Sequence, residues 1–282
     1  MAMALPVVVP LDGSAVAERA VPPASQLACA YGAPLEFVHV VEPGADHDSK
    51  RTGECFRDYV SDLMARYGLQ QESKADVLEG PPAAAIVDRA GEALAVTLAT
   101  GGRGGAGGRV IGGVADKVIR QAPAPVLAVP PQGPARMEHD PLVVGLDGSS
   151  AAEAGLRLAR DLGRRLRAKV ILVRAWDLPA PGGMRFTPFR ADDHARERVE
   201  AERYIESVRL AGEEGICLSG RPVDVLASVV ERVAAGMVVL TTCGGGSAGR
   251  GAFGSTTGRA LHTLSVPLLV VPAETEAGRI AG

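Results

Sequence analysis

Apolar residues fall along this chain in short, mostly β-branched runs, and between them lie longer stretches whose apolar positions recur every three or four residues. The runs at 7–11, 35–41, 75–78, 94–98 and 126–129 read as strands; the stretches at 14–31, 55–67, 82–90 and 114–120 read as helices. The series then repeats, with strands at 142–146, 170–175, 216–218, 237–240 and 268–271 and helices at 149–166, 192–211, 223–234 and again before the last strand. Strands this apolar, separated by helices, call for right-handed crossovers and a parallel sheet buried on both faces. The expected fold class is α/β: two tandem doubly wound, Rossmann-like domains, each a five-stranded parallel sheet with helices on both faces. Ser14 and Ser149 suit the N-caps of the first helix of each series. Pro22 and Pro23 fall inside the first of these helices and should kink or interrupt it.

Landmarks establish the duplication. Asp12-Gly13-Ser14 returns 135 residues later as Asp147-Gly148-Ser149. Gly102, Gly112, Pro125 and Pro130 return 142 residues later as Gly244, Gly254, Pro267 and Pro272, so the second copy is longer by 7 residues between these landmarks. The Gly-, Pro- and Asp-rich segments at 42–53 and 177–190 differ in length and account for part of this. A period this long marks duplicated domains, since solenoid repeats run at about 20 to 50 residues. The expected division is a first domain over 1–131, a proline-rich linker over 132–140 and a second domain over 141–282. The final strands of the two copies, 126–129 and 268–271, are expected to meet across an internal pseudo-twofold, which would cover two apolar edges.

Charge narrows the function. With 30 basic and 33 acidic residues, the chain carries no excess that would suit nucleic acid or an anionic membrane. No apolar run approaches the roughly 18 to 20 residues needed to cross a bilayer, and residues 1–10 lack a basic leader region, so a soluble cytoplasmic protein is expected. Cys29, Cys55, Cys217 and Cys243 are too widely spaced for a zinc or thioredoxin-like motif, and five histidines are scattered. No metal site is expected. There is no G-x-S-x-G elbow and no Walker-type lysine motif.

The chemistry concentrates in two glycine-rich turns, 99–113 and 241–255, each between a strand and a helix. Glycines let backbone N–H groups approach an anion, and the helix start adds unpaired N–H groups and the positive end of its dipole. Both turns contain G-x-G-x-x-G, yet both follow the fourth strand of their copy and lack the acidic partner about 20 residues on that a dinucleotide fingerprint requires.

In these motifs the chain resembles the universal stress protein family in its tandem two-domain form. The family signature G-x2-G-x9-G-[ST] is matched as Ala99-x2-Gly102-x9-Gly112-Gly113 and as Thr241-x2-Gly244-x9-Gly254-Ser255, with the spacing intact, the first glycine replaced in both and the closing hydroxyl lost from the first. The resemblance implies a bacterial stress-response regulator that binds ATP, with or without Mg2+, and acts through nucleotide-dependent conformation or partner contacts. Pro10 and Asp12, and Gly145 and Asp147, would then border adenine and ribose; Val40 and Val41, and Ala175 and Trp176, would line the base pocket. Gly102, Arg103, Gly104 and Gly105, and Gly244, Gly245 and Gly246, would hold the phosphates, with Gly113 and Val114, or Ser255 and Thr256, at the terminal ones. It also implies an intramolecular pseudo-dimer, open to further pairing as a homodimer.

Other roles fit some of these residues. Asp12 and Asp147 suit a turn and cap, Arg103 a solvated loop, and Trp176 the core. A rival function is a degenerate family member that binds no ATP and serves as a scaffold or binds another small ligand. No catalytic residue is expected, and at most weak hydrolysis of ATP: that reaction would need a placed base or water-orienting residue, and no residue of the turns clearly qualifies.

Overall fold

Ten short strands and nine helices follow one another in the computed structural model, which describes residues 4–42, 49–101, 111–133, 137, 139–176, 191–242 and 254–273. The first half runs β1 (Val7–Pro10), α1 (Ala15–Glu18), α2 (Val21–Tyr31), β2 (Leu35–Val41), α3 (Ser49–Tyr67), β3 (Ser73–Glu79), α4 (Pro82–Ala90), β4 (Ala95–Ala99), α5 (Gly113–Gln121) and β5 (Val126–Val129). The second runs β6 (Leu142–Gly145), α6 (Ser150–Leu166), β7 (Val170–Trp176), α7 (Ala191–Val208), β8 (Glu214–Ser219), α8 (Pro222–Val233), β9 (Met237–Thr241), α9 (Ser255–Thr263) and β10 (Leu268–Val271).

Within each half every strand pair is parallel. The halves do not keep separate sheets. β5 and β10 pair antiparallel, Leu127 opposite Leu269, and make one ten-stranded sheet in the order β3-β2-β1-β4-β5-β10-β9-β6-β7-β8. Val126 and Leu127 are at most 1% exposed there, so the pairing hides strands that would otherwise be apolar edges. The outer edges, β3 and β8, carry Lys74, Asp76 and Glu214 and are largely open to solvent.

Alternation along the strands sends residues to two cores. Val7, Val9, Leu11 and Phe37 pack on the face carrying α1, α2, α3 and α6; Val8, Val38 and Val96 pack on the face carrying α4, α5, α8 and α9. The chain breaks between α1 and α2 as Pro22 and Pro23 require: they sit in the first turn of α2, where the missing N–H groups cost nothing. After β5 the chain folds back on the first half, because Arg19 donates to the carbonyls of Pro130 (3.3 Å) and Gly133 (2.7 Å), and the Met137 N–H donates to Gln26 Oε1 (2.8 Å). The halves also meet through helices: the Arg165 guanidinium lies 4.3 Å from the Tyr31 ring centroid and donates to the Ala30 carbonyl.

Candidate functional site at the carboxyl ends of the strands

β1 and β4 are hydrogen-bonded neighbours, but the chain leaves β1 toward β2 and leaves β4 toward β5, in opposite directions along the sheet. β6 and β9 repeat this. Such reversal points open a crevice at the carboxyl ends of the strands, where α/β sheets hold ligands. Each crevice here receives an Asp-Gly-Ser turn on one side and the ends of a glycine-rich turn on the other.

The two Asp turns have the same construction. Asp12 Oδ1 accepts from the Ser14 N–H at 2.9 Å and Ser14 Oγ accepts from the Ala17 N–H at 3.2 Å; in the second half Asp147 Oδ1 accepts from Ser149 at 2.9 Å and Ser149 Oγ from Ala152 at 3.1 Å. Gly13 and Gly148 sit between them at φ +80° and +87°, which other residues adopt only under strain. One oxygen of each aspartate is therefore committed to the turn, and Ser14 and Ser149 cap their helices as their sequence suggests. Ahead of the aspartates, Pro10 and Gly145 are half-buried, and a Cβ on Gly145 would run into Leu240.

The glycine turns are pinched at their ends. The Gly112 N–H donates to the Thr100 carbonyl at 2.8 Å, and the Gly254 N–H to the Thr242 carbonyl at 2.9 Å, so each loop leaves and returns at one point above the sheet. Ala99 is buried beneath this point and Thr241 half-buried. A Cβ on Gly101 would lie 3.0 Å from Val16, which puts the loop's exit against α1 and the Asp12 turn. Gly102, Arg103, Gly104 and Gly105, with Gly244, Gly245 and Gly246, lie outside the described residues, as does Cys243.

From the pinch start α5 and α9. Neither Gly112 nor Gly254 has a side chain to cap them, so no N-cap side chain takes the first-turn N–H groups. Gly113 and Val114 are exposed at the first positions of α5, Ser255 exposed and Thr256 half-buried at those of α9. Thr257 is turned inward, donating to the Thr241 carbonyl at 2.9 Å. Val40 and Ala175 face the α4/α8 side; the Val41 and Trp176 carbonyls accept from Gly80 and Gly220, and Trp176 is half-buried rather than core.

The other side of the Asp turns holds groups that the sequence reading passed over. Tyr59 on α3 donates to Glu18 Oε1 at 2.8 Å, and Tyr204 on α7 donates to Glu153 Oε1 at 3.4 Å. Burial, then the bond to Glu18, pushes the Tyr59 phenol above its usual range; burial, then the charge of Glu153, pushes Tyr204 up to about 12. Both stay protonated donors at neutral pH. Glu18 and Glu153 recur 135 residues apart, and Thr100 and Thr242 recur 142 apart, so both pairs were findable from the repeat. The tyrosines were harder, since they are 145 apart and match neither period. Among the described residues no cluster of three His, Cys, Asp or Glu side chains could hold a metal, and no helix is long and apolar enough to cross a membrane.

Known proteins share this architecture. The universal stress protein family model matches residues 3–130 and again 138–272. A universal stress protein of Mycobacterium tuberculosis is 26% identical over 208 residues, covering 70% of this chain and 68% of its own, and one from Thermus aquaticus is 38% identical over 128 residues, 42% of this chain and 93% of its own. The crystal structure of a universal stress protein from Archaeoglobus fulgidus superposes with a TM-score of 0.68 at 18% identity, over 95% of this chain and 98% of that one. With both halves matched and the fold shared, this chain belongs to the universal stress protein family.

Proposed function

We propose that this protein binds an adenine nucleotide at the carboxyl ends of its strands and acts as a nucleotide-dependent regulator of a stress response. The observation that carries the reading is the duplicated pinch. In both halves a loop of glycines is closed on a strand-end threonine carbonyl and released into a helix whose first N–H groups have no capping side chain. That arrangement suits phosphate: the helix start presents donors and positive potential, and the clamp fixes its direction before ligand arrives. The Asp12 and Asp147 turns border the same crevices and offer carboxylates to ribose or base hydroxyl and amino groups. Val40 and Ala175 give the base an apolar wall.

The two halves are unequal in their donors. α9 adds the Ser255 and Thr256 hydroxyls to its backbone N–H groups, whereas α5 offers backbone alone and exposes the Val114 side chain. The second half is therefore the stronger phosphate binder at its helix start. The proposed role is binding and signalling. Denaturing the purified chain and separating the released small molecules tests this. ATP, ADP or AMP in near-stoichiometric amount is expected; protein that releases none and takes none up from millimolar ATP would defeat the reading.

A further inference from the structure

The groove between the Asp12 turn and α3 lies on the opposite side of the sheet from the proposed base pocket, since His39 faces the α3 core and Val40 the α4 core. It is a pocket of about 420 Å3, lined by Asp12, Gly13, His39, Arg51, Phe56 and Tyr59 together with Thr52 and Cys55 at α3. His39 is held at one wall, its Nδ1 2.8 Å from the Leu11 carbonyl and its ring 5.6 Å from Phe56. A carbonyl only accepts, so Nδ1 carries a proton.

The second half shows what fills this space. Arg174 stands where the first half has His39, and its guanidinium lies 4.7 Å from the Tyr204 ring centroid. A Cβ on Gly148 would meet Arg174 Nη1 at 2.6 Å, whereas one on Gly13 would meet nothing within 4 Å. Arg174 Nη1 is buried and finds no hydrogen-bond partner among the described residues. The exchange is compensated across the groove: where α3 has Phe56, three residues before Tyr59, α7 has Ala201, three before Tyr204. A small ring with a large neighbour in one half becomes a long cation with a small neighbour in the other. The aspartate is common to both, Asp12 against Asp147, and so is the rim arginine, Arg51 against Arg196; Glu18 and Glu153 recur behind the tyrosines, Glu18 bonded to Tyr59 and Arg66.

We propose that the first-half pocket is a binding site for a planar cation of the guanidinium or amidinium class, and that the second half carries Arg174 as its own permanent occupant. A flat cation stacks on the tyrosine ring and places its N–H groups toward the aspartate turn, as the guanidinium does in the second half. The site goes beyond the nucleotide reading: it lies against α3 on the other face of the sheet and shares only the Asp12 turn with the proposed nucleotide crevice.

Benzamidine serves as the probe, titrated against the full chain by ligand-observed NMR, with benzoate as its isosteric anion. Saturable benzamidine binding at one site is expected, with benzoate at least about tenfold weaker. The double variant His39→Arg/Phe56→Ala rebuilds the second-half arrangement and should lose benzamidine binding at least tenfold; Arg174→His/Ala201→Phe should add a second site. Cys55→Trp, at an exposed rim position, should block the pocket even where a core double variant fails to fold. Absence of binding, equal binding of benzoate, or full binding by the folded Cys55→Trp variant would overturn the inference. An ATP titration of the same samples keeps the two readings apart, because a chain that binds ATP and not benzamidine refutes this pocket alone.

Discussion

Ser255 and Thr256 differ from Gly113 and Val114 by two hydroxyls at equivalent helix starts, and the proposed phosphate contacts turn on them. A hydrogen bond to a charged phosphate contributes about 1.5 to 3 kcal/mol, roughly one to two decades of affinity. Ser255→Ala and Thr256→Val should each lower nucleotide affinity by that order with little effect on melting temperature. A Cβ on Gly113 would meet nothing within 4 Å, so Gly113→Ser should fold and raise affinity in the first half. Calorimetric titration of the three variants checks both directions, and unchanged affinity in all of them would remove these hydroxyls from the site. The aspartates were legible as turn-formers because D-G-S is a local signal. Tyr59, Tyr204 and the His39/Arg174 exchange were not, since their meaning lies in packing between elements far apart in sequence.

Glu213 shows how a residue before an edge strand holds a half together. Arg160 on α6 donates to both of its oxygens at 2.7 Å, and the Leu210 N–H donates at 2.8 Å. Burial alone would raise this carboxyl, but the Arg160 hydrogen bond, the Leu210 N–H and the nearby charges outweigh it and hold the carboxyl below its ordinary 4.5. A depressed carboxylate contributes stability that is fully present above the unfolded value and lost as pH falls through the folded one. Glu213→Gln should therefore be less stable than the native chain near neutrality, with the gap closing below about pH 4.5; urea unfolding from pH 7 to pH 3 measures it. A gap independent of pH would reject the ion pair as its cause.

At the element scale, boundaries were legible where burial is complete and blurred where it is partial. β2, β5 and β10 match their apolar runs to the residue. The edge strand β3 extends to Ser73–Glu79 beyond the expected 75–78, because an edge interleaves polar residues that hide its length. α3 begins at Ser49 rather than residue 55, through a polar stretch with no apolar period to read. The β5–β10 seam makes a prediction of its own. Leu127 is fully buried opposite Leu269, so Leu127→Ala should cost about 2 to 5 kcal/mol by chemical denaturation. A loss under about 1 kcal/mol would mean that the seam is not a core element.

For the whole molecule, the duplication explains both the symmetry of the sheet and the divergence of its sites. Each half keeps the same frame around its crevice: the Asp turn with its serine cap, the threonine-clamped ends of the glycine loop and the Glu–Tyr pair. What differs is the chemistry at equivalent positions, hydroxyls against bare backbone at the helix starts and histidine against arginine beside the Asp turn. The most direct test of the central claim is calorimetric titration of ATP into the native chain and into the Asp12→Ala/Asp147→Ala double variant. Saturable binding to the native chain is expected, with at least about tenfold weaker binding to the double variant, whose lost hydrogen bonds to ligand are worth roughly 0.5 to 3 kcal/mol each. No ATP binding by the native chain, or equal affinity in the two proteins with both folded, would contradict it.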